Sequence, residues 1–122
     1  MKKLINILIL TFLTFNLSIA EVENFTSVVV ERIDVEILET LDSAEVYPNP
    51  ADDHVFLRIK NTESFSEIKI EVMSIIGTKM QVTSDKMDAR LYKIDLSNIP
   101  VGHYYMLLTV DSKKSLKKFL KK

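Results

Sequence analysis

Apolar and polar residues alternate with a period of two along most of the chain after residue 50. The clearest case is residues 67–72, where Ile68, Ile70 and Val72 lie on one side and charged residues on the other. This alternation is typical of a β-strand with one buried face. Four further runs show it: residues 54–60, 78–82, 90–96 and 103–110. The last run is apolar on both sides, which predicts a central strand.

Residues that favour turns separate these runs. They are Pro48, Asn49, Pro50, Gly77, Pro100 and Gly102. Proline lacks the backbone N–H that a strand interior needs, and glycine adopts a positive φ at little cost. Short strands with turns between them predict an all-β fold, namely an antiparallel sandwich of about seven short strands.

Residues 28–41 fit two kinds of element. Ile33, Val35 and Ile37 alternate as in a strand. A helical stripe fits equally well, through Val30, Ile33, Ile37, Leu38 and Leu41. The excess of β-branched residues favours the strand. We therefore expect residues 21–45 to be a short acidic lead segment that contains one strand.

The C-terminal residues are also ambiguous. Leu116, Phe119 and Leu120 fit a turn of helix, and the surrounding lysines would make that helix basic and amphipathic. Lysines are equally typical of an exposed edge strand, where they discourage pairing with other chains. The pattern alone leaves both alternatives open.

The first twenty residues have the layout of a secretory signal peptide. Two lysines precede the apolar run 7–13, and small residues end the segment at Ala20. The apolar run is shorter than the roughly 20 residues of a membrane span. We expect cleavage after residue 20, export through the Sec pathway and no transmembrane span in the mature protein. The alternative is an uncleaved N-terminal anchor.

Composition and charge narrow the possible functions. The 122 residues allow a single small domain, and the formal net charge of −1 gives no reason to expect a nucleic-acid partner. The chain has no cysteine, which excludes disulfides, thiolate zinc sites and a thiol nucleophile. Charge is distributed unevenly, because residues 21–53 contain ten acidic residues and one basic residue, whereas six lysines and no acidic residue lie within residues 113–122.

Catalytic and metal-binding patterns are missing from the sequence. The two histidines, His54 and His103, each lie next to turn residues, and a metal site needs at least three converging ligands. Asn49, Asp52 and Asp53 could wrap a calcium ion, but their role as turn formers is the better explanation. No nucleophile elbow or glycine-rich phosphate loop is present. We expect no enzymatic activity, no metal and no cofactor.

Several of these elements occur in an order that resembles a known family. Val46-Tyr47-Pro48-Asn49-Pro50-Ala51 opens the module, residues 68–80 contain a strand followed by Gly77, and residues 94–105 contain Leu96, Ile99-Pro100, Gly102 and Tyr104. A lysine-rich tail closes the chain. In this order, over residues 46–122, the elements resemble the type A C-terminal sorting domain of the type IX secretion system of the Bacteroidota.

The resemblance implies an Ig-like β-sandwich that is exported to the periplasm and recognised by an outer-membrane translocon. A sortase then removes the domain and attaches its cargo to an anionic lipopolysaccharide, so the destination is the cell surface or the medium. By position, the recognition elements are Pro48, Asn49, Pro50, Gly77, Pro100, Gly102 and Tyr104. The candidates for direct contact with a partner are Lys113, Lys114, Lys117, Lys118, Lys121 and Lys122.

Family members usually carry a large enzyme or adhesin ahead of the sorting domain. Here residues 21–45 alone separate the predicted cleavage site from the module, which is too short for a domain. The main alternative is therefore a free-standing, small secreted Ig-like module that binds an unknown ligand. A third hypothesis is attachment to a membrane surface through Leu116, Phe119, Leu120 and the terminal lysines.

Overall fold

The computed structural model describes residues 26–60 and 67–122. The predicted signal peptide, residues 1–20, and the first five residues of the lead segment lie outside the described residues. The chain divides into two compact units, Met1–Ile33 and Asp34–Lys122. In the first unit the described residues, 26–33, are helical and their side chains are exposed.

The second unit contains the end of the helix and all the strands of the described residues. The helical residues 26–42 are called α1. Eight strands follow: β1 Glu45–Tyr47, β2 His54–Arg58, β3 Lys69–Ser74, β4 Lys79–Met80, β5 Thr83–Asp88, β6 Leu91–Asp95, β7 Gly102–Val110 and β8 Lys113–Lys121. They form two four-stranded sheets, sheet A in the order β1-β2-β6-β5 and sheet B in the order β4-β3-β7-β8. Every pairing between these strands is antiparallel.

This strand order is that of an immunoglobulin-type sandwich. In such folds strands A, B, E and D form one sheet and strands C, F and G form the other. Sheet A, β1-β2-β6-β5, has the A-B-E-D order, β3-β7-β8 has the C-F-G order, and β4 is an additional strand at the edge of sheet B. The predicted all-β Ig-like sandwich is therefore confirmed, with eight strands in place of about seven. The alternation pattern did not predict β5, because its six residues are all exposed and show no apolar alternation.

The core lies between the inner faces of the two sheets. Val55, Leu57 and Ile94 from sheet A meet Met106 and Leu108 from sheet B, and all five side chains are fully buried. Each buried aliphatic side chain of this size contributes about 1.5–3 kcal/mol of hydrophobic stabilisation. The alternating runs of the sequence supply these residues, because every second position of a strand points into the sandwich.

The strand predicted within residues 28–41 is wrong, because residues 26–42 are helical. Ile37 and Leu41, one helical turn apart, are buried in the core of the second unit, and Ala44 is buried beyond the end of the helix. Val35, which would share their face in a strand, is exposed. The helix propensities of valine and isoleucine fall below that of alanine by less than about 1 kcal/mol per residue. Burial of two large side chains outweighs that difference.

The ambiguity at the C-terminus is resolved in favour of a strand. Residues 113–121 form β8, the edge strand of sheet B, which pairs with β7 along its whole length. Phe119 is 1 % exposed and Leu116 is 55 % exposed, because they lie on opposite faces of β8. The hypothesis of a membrane-binding face shared by Leu116, Phe119 and Leu120 is therefore wrong. Within residues 26–60 and 67–122, no helix is both long and apolar enough to span a bilayer.

Candidate recognition surface

The turn residues singled out in the sequence converge on one end of the sandwich. Ser74 pairs with Tyr104, and Gly102 pairs with Lys121, so the end of β3, the start of β7 and the end of β8 lie side by side. The residues between β1 and β2 join them by hydrogen bonds to β8. We call this region the motif end, and it comprises residues 47–53, 74–78, 96–104 and 119–122.

The segment around Asn49 fastens the end of β8. The Leu120 backbone N–H donates to the Asn49 Oδ1 at 3.0 Å, and the Asn49 Nδ2 donates to the Lys118 carbonyl at 3.5 Å. The side chain of Asn49 thus occupies backbone groups on the free edge of the strand. Such edge groups would otherwise be open to pairing with another chain.

Ala51 continues the same attachment through its backbone. Its N–H donates to the Leu120 carbonyl at 2.7 Å, and the Lys122 N–H donates to the Ala51 carbonyl at 2.9 Å. This is a parallel bridge between Ala51 and Lys121, and Ala51 itself is fully buried. The two X-Pro bonds that precede it, Tyr47–Pro48 and Asn49–Pro50, are both cis. The Pro-Asn-Pro-Ala stretch is thus attached to the end of β8 by one isolated bridge at Ala51 and by the side chain of Asn49.

Tyr104 anchors the loop that leads into β7. Its hydroxyl donates to the Pro100 carbonyl at 2.7 Å, and its ring stacks on Phe119 with the centroids 5.8 Å apart. The side chain is 5 % exposed, which confirms the expectation that it fills the core. A tyrosine near the start of this strand, bonded to the backbone a few residues upstream, is the tyrosine corner of immunoglobulin-type sandwiches. Pro100 thus contributes its carbonyl as well as its fixed φ.

Asp95 shapes the first half of the same loop. The backbone N–H and the hydroxyl of Ser97 donate to its Oδ1 at 2.8 Å and 2.6 Å. These two hydrogen bonds to the ionised form lower the pKa of the Asp95 carboxyl. The neighbouring Ile99 N–H donates to the Leu96 carbonyl at 3.1 Å, which closes the turn.

Gly77 allows the tight turn between β3 and β4. Its φ is +85°, in the region that favours glycine, and its N–H donates to the Ser74 carbonyl at 2.9 Å. The turn places Ile75 and Ile76 in solvent, with 62 % and 85 % of their surface exposed. Val101, which directly precedes β7 at the same end, is also exposed. Exposed aliphatic residues on two turns give the motif end an apolar component that the alternation pattern did not predict.

The six terminal lysines have different surroundings. Lys113 and Lys117 reach α1, where Lys113 Nζ lies 3.1 Å from Asp34 Oδ2 and Lys117 Nζ donates to the Asp42 carbonyl. Lys122 pairs with Asp52 at 3.6 Å, and Lys121 is 7 % exposed. Lys114 and Lys118 are exposed on the outer face of sheet B. Contact of these lysines with a partner stays a prediction, and Lys114 and Lys118 are the two best placed for it.

The contacts between α1 and β8 were missed by the sequence analysis. Besides the two lysine contacts, the Ser115 hydroxyl donates to Asp42 Oδ1 at 2.7 Å. The only sequence signal for them was the opposite charge of the acidic lead segment and the lysine-rich tail. These contacts make the last turns of α1 part of the folded unit.

The structure shows turn geometry at the positions that were weighed as metal ligands. Among the described residues, no group of three or more histidines, aspartates and glutamates converges. Asp52 faces Lys122, and the Asp53 carbonyl accepts a hydrogen bond from the Leu96 N–H at 2.8 Å. His54 lies on β2 with its ring edge against Phe56, 5.3 Å between centroids.

One family model of known proteins matches the chain. Residues 45–122 match the family model described as "Secretion system C-terminal sorting domain". The match begins at β1 and covers all eight strands. No curated protein matches the chain.

Proposed function

We propose, on the premise that the chain belongs to the family of secretion system C-terminal sorting domains, that its folded unit is a non-enzymatic sorting signal of the type IX secretion system. In this proposal the outer-membrane translocon recognises it in the periplasm, after Sec export, and passes the protein to the cell surface. A sortase of the same system then attaches the product to the surface or releases it to the medium.

The convergence of the motif residues at one end of the sandwich supports the proposal most strongly. Asn49, Ala51 and Tyr104 hold the end of β8 and the loop before β7 by backbone hydrogen bonds and ring stacking. Their chemistry fixes the shape of a surface and supplies no reactive group. The turns and the attached end of β8 give the motif end a fixed shape. A partner protein can recognise such a surface in the folded domain.

A secretion assay tests the proposal. A fluorescent protein that folds in the periplasm is placed between a Sec signal peptide and residues 34–122, since these residues form one compact unit. In a bacterium with a functional type IX system, we expect the fluorescence at the cell surface or in the medium. The same fusion in a strain without the translocon should stay in the periplasm.

Periplasmic retention in the competent strain would contradict the proposal and favour the free-standing binding module. A second fusion with residues 46–122 checks which segment is needed. It lacks Ile37 and Leu41, which are buried in the core, so we expect a less stable domain and less secreted reporter. Equal secretion of both fusions would show that α1 is dispensable for the signal.

A further inference from the structure

The outer face of sheet B is apolar in its centre and basic at its two edges. Paired residues of neighbouring strands share a face, so one row across the sheet consists of Lys118, Tyr105, Met73 and Lys79. Tyr105 and Met73 are half-buried in the middle, whereas Lys118 and Lys79 are exposed at the rims. The row therefore has an apolar centre with a cation on either side.

The next two rows extend the same face. Leu116 and Leu107 lie beside Glu71 in one row, and Lys114 and Thr109 lie beside Lys69 in the other. We call these three rows the lysine-rimmed face. Leu116 is its most exposed apolar residue, at 55 %. Together with the half-buried Leu107, Tyr105 and Met73, Leu116 forms a contiguous apolar patch between the lysines, and such patches rimmed by polar residues mark interaction sites.

The single carboxylate of the lysine-rimmed face is occupied by its own lysines. Glu71 lies 3.2 Å from Lys69 Nζ and also bonds Lys79, and its side chain is only 16 % exposed. These two hydrogen bonds lower the pKa of the Glu71 carboxyl. Lys114 and Lys118 are exposed on β8, on the other side of the apolar centre. The four lysines and one glutamate of the face sum to a charge of +3.

The outer face of sheet A differs in charge. There Arg58 lies opposite Glu45, and Lys93 lies opposite Asp85, so charges of opposite sign face one another. Arg58 also stacks over the Tyr47 ring, 5.1 Å from its centroid. The charges of sheet A are therefore balanced locally, and those of the lysine-rimmed face are not.

We propose that the lysine-rimmed face is the docking surface for a protein of the type IX machinery whose contact surface is acidic around an apolar centre. This inference rests on the proposed function and deepens it. We infer an acidic partner from charge complementarity. The lysines at the rim attract an acidic surface and speed its association, and they repel a cationic surface. A second copy docked face to face would bring two faces of charge +3 together, so it is disfavoured.

The size of the face fits a reversible contact. β7 and β8 have nine residues each, which corresponds to about 30 Å of extended chain, and four strands span about 15–20 Å. The resulting area of a few hundred Å² lies below the roughly 800 Å² per partner of a stable interface. A transient contact fits the proposed function, because the domain must dissociate from the translocon before the sortase acts on it.

Charge reversal on β8 tests the inference in the full chain. Lys114→Glu with Lys118→Glu reverses two exposed charges of the face, and Lys86→Glu with Arg90→Glu is the matched control on the β5–β6 hairpin. We expect the amount of chain at the surface and in the medium to fall about tenfold for the first pair and to stay unchanged for the second. Both pairs should keep the melting temperature of the wild type.

The apolar centre is tested by a second matched pair. Leu116→Ser should also reduce secretion several-fold, whereas Met87→Ser on β5 should not, although Met87 is equally exposed at 57 %. Secretion of all four variants at the wild-type level would overturn the lysine-rimmed face as the docking surface. Retention of the wild-type chain in the periplasm would instead overturn the proposed function, and the inference with it.

Two further measurements test whether the lysine-rimmed face binds a protein partner, a lipid surface or a second copy of the chain. The purified chain is sedimented with vesicles that contain phosphatidylglycerol, and its oligomeric state is measured by sedimentation equilibrium. We expect the wild-type chain to be monomeric. We also expect it to bind the vesicles no better than the variant Lys114→Glu with Lys118→Glu does. Vesicle binding or self-association that is lost on reversal, with secretion intact, would assign the face to lipid or to a second copy and overturn the protein partner.

Discussion

The two sheets end in edge strands of opposite character, β8 in sheet B and β5 in sheet A. β8 has nine residues and buries Ser115, Phe119 and Lys121 on its inner side. α1 and the Asn49–Ala51 segment both attach to it by side-chain or backbone hydrogen bonds. β5 has six residues, all exposed, and it pairs with β6 alone.

The difference shows that an edge strand can be protected in two ways. At β8 the free edge near the C-terminus is covered by Asn49 and Ala51. At β5 the register shifts between Lys86 and Asp88, and charged side chains discourage a further strand. Only the first way adds buried contacts, so substitutions on the β8 side should cost far more stability than those on the β5 side.

The largest effect is expected for Phe119→Ala. The Phe119 ring is buried and stacks on Tyr104, so its removal leaves a cavity in the core beside the tyrosine corner. We expect a loss of about 4 kcal/mol in the free energy of unfolding, measured by urea denaturation. The control on the open edge is Met87→Ala, for which less than about 0.5 kcal/mol is expected. Similar losses for both variants would show that the two edges do not differ.

A slightly smaller effect is expected in α1. Leu41→Ala removes a fully buried side chain from the helix that attaches to β8, and we expect a loss of about 3 kcal/mol. Leu38→Ala is the matched control, because Leu38 lies in the same helix with 41 % of its surface exposed. Both free energies come from urea denaturation of the full chain. An equal, small loss for the two variants would mean that α1 does not belong to the folded unit.

Asn49→Ala tests the fastening of β8 directly. It removes the acceptor for the Leu120 N–H and the donor to the Lys118 carbonyl, and we expect a loss of about 1–2 kcal/mol. Hydrogen exchange should show faster exchange of the Leu120 amide, while the Val55 amide in the core of sheet A stays protected. Unchanged exchange at Leu120 would indicate that Ala51 alone holds the strand.

The sequence predicted those parts of the fold in which one face of a strand is buried. Residues 54–60 alternate because sheet A covers one side of the core, and they became β2. Residues 103–110 are apolar on both sides and became β7, which lies between β3 and β8 as the predicted central strand. β5 has no buried side, so its residues carry no alternation and it was not predicted. The helical residues 28–41 were assigned to a strand because local propensity favours one. Tertiary burial of Ile37 and Leu41 decides otherwise.

The candidate site was predicted in its residues but not in its contacts. Pro48, Asn49 and Pro50 are readable as turn formers because their backbone preferences are local. The hydrogen bond from Leu120 to Asn49 joins residues 71 positions apart, and no local pattern encodes such a pairing. The tyrosine corner is an intermediate case, because Tyr104 bonds Pro100 only four residues upstream and the alternation already placed its ring inside.

The smallest effect is expected from pH and concerns Asp95 on β6, between β2 and the open edge strand. The hydrogen bonds from Ser97 lower the pKa of this carboxyl in the folded state. Such a group stabilises the fold above its unfolded-state pKa, near pH 4, and the contribution is lost as the pH falls through the lower folded-state pKa. Asp95→Asn should therefore weaken the decline of the melting temperature between about pH 5 and pH 3.

Ser97→Ala should give an intermediate profile, because it removes the hydroxyl donor and keeps the backbone donor. Parallel profiles for the wild type and Asp95→Asn would contradict a stabilising role of the ionised carboxyl. The pH profiles also show whether the β5 side and the β8 side of the sandwich are stabilised by different interactions. A pH-dependent contribution beside β5, together with pH-independent losses at Phe119 and Leu41, would mean that charge stabilises the open side of the sandwich and packing stabilises the fastened side.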